Sequence, residues 1–195
     1  MNPRWSLRTA RLVLTPVGGA DLPDLIAIKA DPRVFAVMLG GVRSPAQTQE
    51  ELARDVVAWG ADGFGIWAIR EAASGIPGSG IPGSGIPGSG RHRAGFVGIT
   101  GLERRPDGRG VALRFALWPD AQGRGLAREA AGAALRFGHD EAGLTRIVAV
   151  ARAGNFASRM VLGGIGMTAC DSFIQNGWPM VLYESTVPSS ARRGR

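Results

Sequence analysis

The run Gln122-Gly123-Arg124-Gly125-Leu126-Ala127 has the residue types with which a chain holds a phosphate. An apolar stretch, Val111–Trp118, precedes it and is broken by Pro119; a helix over about Leu126–Phe137 follows. In a strand–turn–helix of this kind the first helical N–H groups lack intrahelical partners. They converge with the positive end of the helix dipole on an anion such as a pyrophosphate. Gly123 and Gly125 keep side chains out of the way and tolerate backbone angles that other residues resist. Arg124 adds a fixed charge whose planar fork matches phosphate oxygens.

Other chemistry-bearing residues offer less. His92 and His139 stand alone, and with the single cysteine they cannot build a zinc site, so no metal is expected. Cys170, in an apolar stretch, is expected to be a buried small hydrophobe rather than a nucleophile. His139, in the last turn of the helix after the glycine turn, is expected at the surface, where the dipole tolerates it. There is no Walker lysine and no Gly-x-Ser-x-Gly elbow. Gly78-Ser79-Gly80-Ile81-Pro82-Gly83 fits a dinucleotide pattern formally, but no strand precedes it and no helix follows.

The elements that must position the glycine turn can be taken in order. Arg11–Thr15 reads as a first strand ended by Pro16. Asp21 is placed to cap a helix over Leu22–Ala30. Ser44-Pro45-Ala46-Gln47 starts another with a capping box, reaching Trp59. Phe64–Ile69 and Gly95–Thr100 form a hairpin, followed by the strand Val111–Trp118. Gly143 ends the next helix, Arg146–Ala151 is a buried strand, and Asn155–Leu162 is a short helix. Ile165–Cys170 and Pro179–Ser185 are closing strands.

Between the hairpin strands lie three copies of Gly-Ile-Pro-Gly-Ser and a final Gly, residues 75–90. Each Pro-Gly suits a type II turn, and the prolines exclude helix and central strand. The repeat reads as an expanded hairpin loop.

The 195 residues suit one domain, with 45% apolar and 20% charged residues as in ordinary globular chains. One cysteine precludes an intrachain disulfide and points to a cytoplasmic setting. No signal-peptide pattern and no membrane-length apolar run occurs, so no membrane partner is expected. The net charge of +7 comes from arginine, since Lys29 is the only lysine. A basic balance favours anionic partners. The excess sits in loops and in the tail, and aromatics do not interleave with it, so nucleic acid is not expected.

Gln122, Gly125 and Ala127 resemble motif A of the GNAT superfamily of N-acetyltransferases. Further residues in order are similar to the branch that includes ribosomal-protein N-terminal acetyltransferases. These are Thr9-Ala10-Arg11-Leu12-Val13-Leu14, Gly63-Phe64-Gly65-Ile66-Trp67, and Asn155-Phe156-Ala157-Ser158 followed by Gly166-Met167. The resemblance implies an α/β (α+β) GNAT fold: a mixed, mostly antiparallel sheet, splayed at its central strands and flanked by helices. It would occupy residues 1–187 as a single domain, with a basic, disordered tail at 188–195.

The resemblance further implies acetyl-coenzyme A as co-substrate. Its pyrophosphate would lie on Gln122, Gly123, Arg124, Gly125, Leu126 and Ala127, and its pantetheine arm beside the backbone of Ala116, Leu117 and Trp118. Asn155 would touch it from the opposite side, and Ser158 would protonate the leaving thiolate. Two family features are missing: the Tyr position is Leu162, and the Glu early in the central strand is Ala112. Glu103, Asp107, Asp120 or bulk water remain as routes for the acceptor's proton. The expected function is acetyl transfer to a primary amine, either a protein N-terminus or a small molecule, with a homodimer as candidate assembly. The missing Glu and Tyr keep a non-catalytic acyl-CoA sensor as the alternative, and the arginines keep an RNA- or ribosome-binding module as a weaker one.

Overall fold

A computed structural model describes residues 2–72, 95–105, 108 and 110–187. The 75–90 repeat, His92, Asp107 and the 188–195 tail lie outside these described residues. Eight strands form one sheet: β1 (Leu7–Arg8), β2 (Leu12–Pro16), β3 (Ile66–Glu71), β4 (Phe96–Arg104), β5 (Val111–Leu117), β6 (Arg146–Arg152), β7 (Thr168–Gln175) and β8 (Trp178–Thr186). Their order is β1-β2-β3-β4-β5-β6-β8-β7. The β5–β6 pair is parallel and the other pairs are antiparallel. The helices are α1 (Leu22–Ala30), α2 (Pro32–Phe35), α3 (Pro45–Asp62), α4 (Leu126–Asp140) and α5 (Phe156–Gly164). This is the mixed, mostly antiparallel α/β architecture expected from the sequence.

Local sequence explains most element starts. Ser44 and Gln47 bond reciprocally, the Ser44 amide donating to Gln47 Oε1 at 2.9 Å and the Gln47 amide to Ser44 Oγ at 3.2 Å. The unforeseen α2 starts the same way: Pro32 follows Asp31, whose side chain accepts from the Arg33 amide at 2.8 Å. Asp21 departs from expectation. Its carboxylate accepts from the Gly18 amide at 2.8 Å and pairs with Arg70 of β3 instead of capping α1. Pro23 removes one amide a cap would use, and the Arg70 guanidinium, a full charge, holds the carboxylate on the sheet side.

The core is built around aromatics that meet edge to face. The Trp59 ring meets Trp67 edge-on at 4.7 Å, and Trp67 meets Phe137 of α4 at 5.1 Å. α4 buries Ala130, Ala131, Gly132, Ala133 and Ala134, small residues that let it lie close to the sheet. At Gly138 a Cβ would stand 2.5 Å from Ile147 Cδ1 and 2.8 Å from Leu102 Cδ1.

Two side chains sit otherwise than the sequence suggests. Cys170 is exposed, because both faces of β7, the last strand of the sheet among the described residues, stay open over Thr168–Ser172. Partial desolvation, then the Glu184 carboxylate, holds its thiol above the ordinary range, which still disfavours a nucleophilic role. His139 is half-buried rather than at the surface. Its ring nitrogens lie 2.6 Å from the Leu144 carbonyl and 2.9 Å from Ser185 Oγ, so it ties the end of α4 to β8.

Candidate active site

The central strands part where chemistry needs room. β4 and β5 pair from Gly98↔Leu117 to Arg104↔Val111. β5 meets β6 only at Val111↔Ile147 and Ala112↔Val148. Beyond those pairs β5 runs on to Leu117 and β6 to Arg152 with no partnership between them among the described residues. One side of the Leu113–Leu117 backbone is therefore left for something other than a strand. Gly98 supports this geometry from behind: φ is +155° and a Cβ would stand 2.3 Å from the Ala116 carbonyl oxygen. Only glycine lets β4 press so close there.

The glycine turn follows at the open end of β5. Gly123 and Gly125 have φ of +73° and +76°, the left-handed region that favours glycine. Among the described residues, no group accepts from the amides of Gly123, Arg124 or Gly125. With the first N–H groups of α4 they form a cluster of unpaired donors, and that fits an anion. Arg11 braces the turn by donating through Nη1 to the Arg124 carbonyl at 2.8 Å, while its Nε donates to Glu129 at 2.7 Å.

Three candidate groups already have protein partners. Gln122 Nε2 donates to the Leu117 carbonyl at 2.9 Å, so it ties the turn to the end of β5. The Trp118 amide donates to the Val97 carbonyl at 3.0 Å. Both guanidinium nitrogens of Arg124 reach Glu71, each at 2.8 Å, and this bond holds the Glu71 carboxyl below its usual range.

A cleft of about 450 Å³ opens beside the parted strands. It is lined by Ala112–Phe115 of β5, Ala149–Arg152 of β6, Asn155 and Ser158. Asn155 caps α5, its Oδ1 accepting from the Ser158 amide at 3.1 Å. Ser158 Oγ makes no hydrogen bond among the described residues, so it is not spent on a carbonyl of its own helix. Leu162 is buried along the same wall.

The carboxylates sort clearly. Glu103 also lines the cleft but pairs with Arg114 across the β4–β5 ladder. Asp120 is exposed on the turn after β5, away from the cleft. A residue that sequence reasoning missed, Asp55 of α3, faces the cleft as well. Desolvation pushes its carboxyl up to about 6; Glu103 and Glu51 add to this, while Lys29 and Arg114 oppose it. The overlooked signal was its spacing from Glu51, since like charges one helical turn apart are unfavourable unless something offsets them. Among the described residues no group of His, Cys, Asp or Glu is placed to hold a metal ion.

The profile of the family described as "Acetyltransferase (GNAT) domain" matches residues 11–168. The chain belongs to the GNAT acetyltransferase family. No curated protein matches it in sequence.

Solved GNAT structures share its fold. An acetyltransferase from Agrobacterium tumefaciens str. C58 is 24% identical, with 93% of this chain and 94% of that one covered and a TM-score of 0.73. A spermidine N-acetyltransferase from Vibrio cholerae, solved with CoA and spermine, is 14% identical over 91% and 96% of the two chains, with a TM-score of 0.69. A ribosomal-protein-S5-alanine acetyltransferase from Vibrio fischeri is 13% identical over 93% and 96%, also at 0.69. Within the GNAT frame of this chain, Ala112 and Leu162 leave the cleft without the carboxylate and phenol that the resemblance leads one to expect.

Proposed function

We propose that this GNAT chain is an N-acetyltransferase that moves the acetyl group of acetyl-coenzyme A to a primary amine. The observation that carries the reading is the parting of β5 from β6 immediately before a turn of unpaired amides. An extended pantetheine arm can add to the free edge of β5 as a strand would, with the pyrophosphate on Gly123, Arg124, Gly125 and the first turn of α4. Ala116 offers main chain to the arm and thioester. The engagement of the Leu117 carbonyl and the Trp118 amide narrows that role to fewer groups. Asn155 closes the site from α5.

For transfer, a neutral amine attacks the thioester carbonyl, charge builds on the carbonyl oxygen, and the thiolate leaves with a proton. The unbonded Ser158 hydroxyl is the proton donor in the cleft. Acceptor chemistry is open to both kinds named for fold relatives, spermidine and a ribosomal-protein alanine. A cytoplasmic setting suits a chain whose only cysteine is a free thiol. The described arginines pair widely with carboxylates, as in Arg33–Asp31, Arg104–Asp62 and Arg146–Glu184, which argues against a nucleic-acid surface.

The test is release of free coenzyme A thiol from acetyl-coenzyme A in the presence of spermidine, small primary amines and short peptides with free N-termini. Amine-dependent release is expected with at least one of them. Tight binding of acetyl-coenzyme A without release for any amine would favour the sensor reading.

A further inference from the structure

We infer that Asp55 is the group in the cleft that receives the acceptor's ammonium and removes its proton. The inference rests on the proposed transfer reaction and assigns the role that Ala112 leaves vacant.

Asp55 stands on α3 and lines the same cleft as Ser158 and the Leu113–Phe115 edge of β5. Among the described residues three carboxylates line that space: Glu51, Asp55 and Glu103. Glu51 is committed twice, to Lys29 Nζ at 2.7 Å and to Arg43 Nε at 2.5 Å. Glu103 is committed to Arg114. Among the described residues Asp55 alone of the three makes neither a hydrogen bond nor an ion pair. A half-buried carboxylate without a cation is costly to keep charged, and an ammonium entering the cleft supplies the missing partner.

The surrounding charges are balanced in a way that suits a base. Lys29 from α1 and Arg114 from β5 favour the carboxylate, while Glu51 from its own helix and Glu103 from β4 disfavour it. Arg54, Arg104 and Arg152 also line the cleft. Of these, Arg104 pairs with Asp62 at 2.8 Å, and Arg152 donates to the Ala36 carbonyl at 3.0 Å and lies over the Trp178 ring. Burial leaves the group near the pH at which a base works best.

The step balances. One N–H proton of the ammonium passes to an Asp55 carboxylate oxygen, and the freed amine attacks the thioester carbonyl carbon. A C–N bond forms, and the C–S bond breaks as the tetrahedral intermediate collapses. Ser158 gives its hydroxyl proton to the thiolate and is restored, directly or through water, by the second proton leaving nitrogen, giving amide and free thiol; Asp55 then returns its proton to water.

The experiment compares wild type, Asp55→Asn and Asp55→Glu with acetyl-coenzyme A and the best acceptor among spermidine and an N-terminal alanine peptide. It reads kcat/KM against pH and, by calorimetry, acetyl-coenzyme A affinity. Wild-type kcat/KM is expected to rise through a midpoint near 6. Asp55→Asn should lose about 10²–10⁴-fold at neutral pH and lose that midpoint, with donor affinity unchanged. Asp55→Glu should keep a midpoint moved to the new carboxyl's pKa, and it carries the test if the Asn variant does not fold. A midpoint that survives in Asp55→Asn, or does not move in Asp55→Glu, overturns the inference while leaving acetyl transfer standing. Wild type that acetylates no amine overturns the transfer reading first, and this role with it.

Discussion

Arg124 holds Glu71 with both ends of its guanidinium, two bonds of 2.8 Å that join the glycine turn to the end of β3. The one guanidinium of the glycine turn is thus already paired with a neighbouring carboxylate. Both side chains are substantially exposed, so the pair is weak and easily exchanged. Donor affinity should therefore rest on the backbone amides. Arg124→Ala is expected to weaken acetyl-coenzyme A by less than about tenfold, about 1.4 kcal/mol. Gly125→Glu, which puts a carboxylate where φ is +76° beside the amides, should abolish binding. Calorimetry on the two folded variants checks the order; an unaffected Gly125→Glu would remove the donor site.

Ser158 offers a second measurement. Its hydroxyl is unbonded among the described residues while its amide is held by Asn155. Ser158→Ala should leave α5 capped and donor affinity unchanged but slow single-turnover transfer by about 10²–10⁴-fold. A wild-type rate in the variant would mean that positioning alone drives the reaction and that the thiolate collects its proton from water.

Removal of the repeat should be tolerated. The Glu71 amide donates to the Gly95 carbonyl at 2.9 Å, so β3 and β4 are already joined where the described residues resume. A short glycine-containing turn in place of residues 75–90 is expected to retain activity and to gain about 1 kcal/mol or less, since closure entropy changes by about 0.6 kcal/mol per doubling of loop length. Loss of transfer without loss of the folded state would show that the repeat shapes the acceptor site.

Asp55 predicts a pH dependence of stability opposite to that of its helix neighbour. Its folded pKa, about 6, lies above the unfolded value of 3.8, so the folded state holds the extra proton in between. Stability then falls as pH rises through that window. Asp55→Asn should match wild type near pH 4 and exceed it at pH 7 by up to about 3 kcal/mol. For Glu51, desolvation acts upward but the bonds from Lys29 and Arg43 outweigh it, leaving the carboxyl below 4.5. Its contribution is present above that value and lost as pH falls further. Urea unfolding of wild type and Asp55→Asn at the two pH values checks the sign; a variant less stable at pH 7 would contradict it.

Much of this protein is determined by its sequence alone, because the signals are local. The Ser44–Gln47 capping box, the apolar run of β5 and the glycines of the turn at 123 and 125 each act within one turn or one strand, so their residue types suffice to place them. Ordered along the chain, they also disclose the family fold. Only tertiary structure decides which polar groups remain unspent. Arg124 looks like a ligand group until Glu71 arrives from elsewhere in the chain. Cys170 looks buried until folding leaves both faces of its strand uncovered. Asp55 looks like one more solvated helix acid until folding sets it over the cleft and gives Glu51 and Glu103 their cations but Asp55 none. Pairing and desolvation are sums that include residues distant in sequence, so local pattern alone does not fix them.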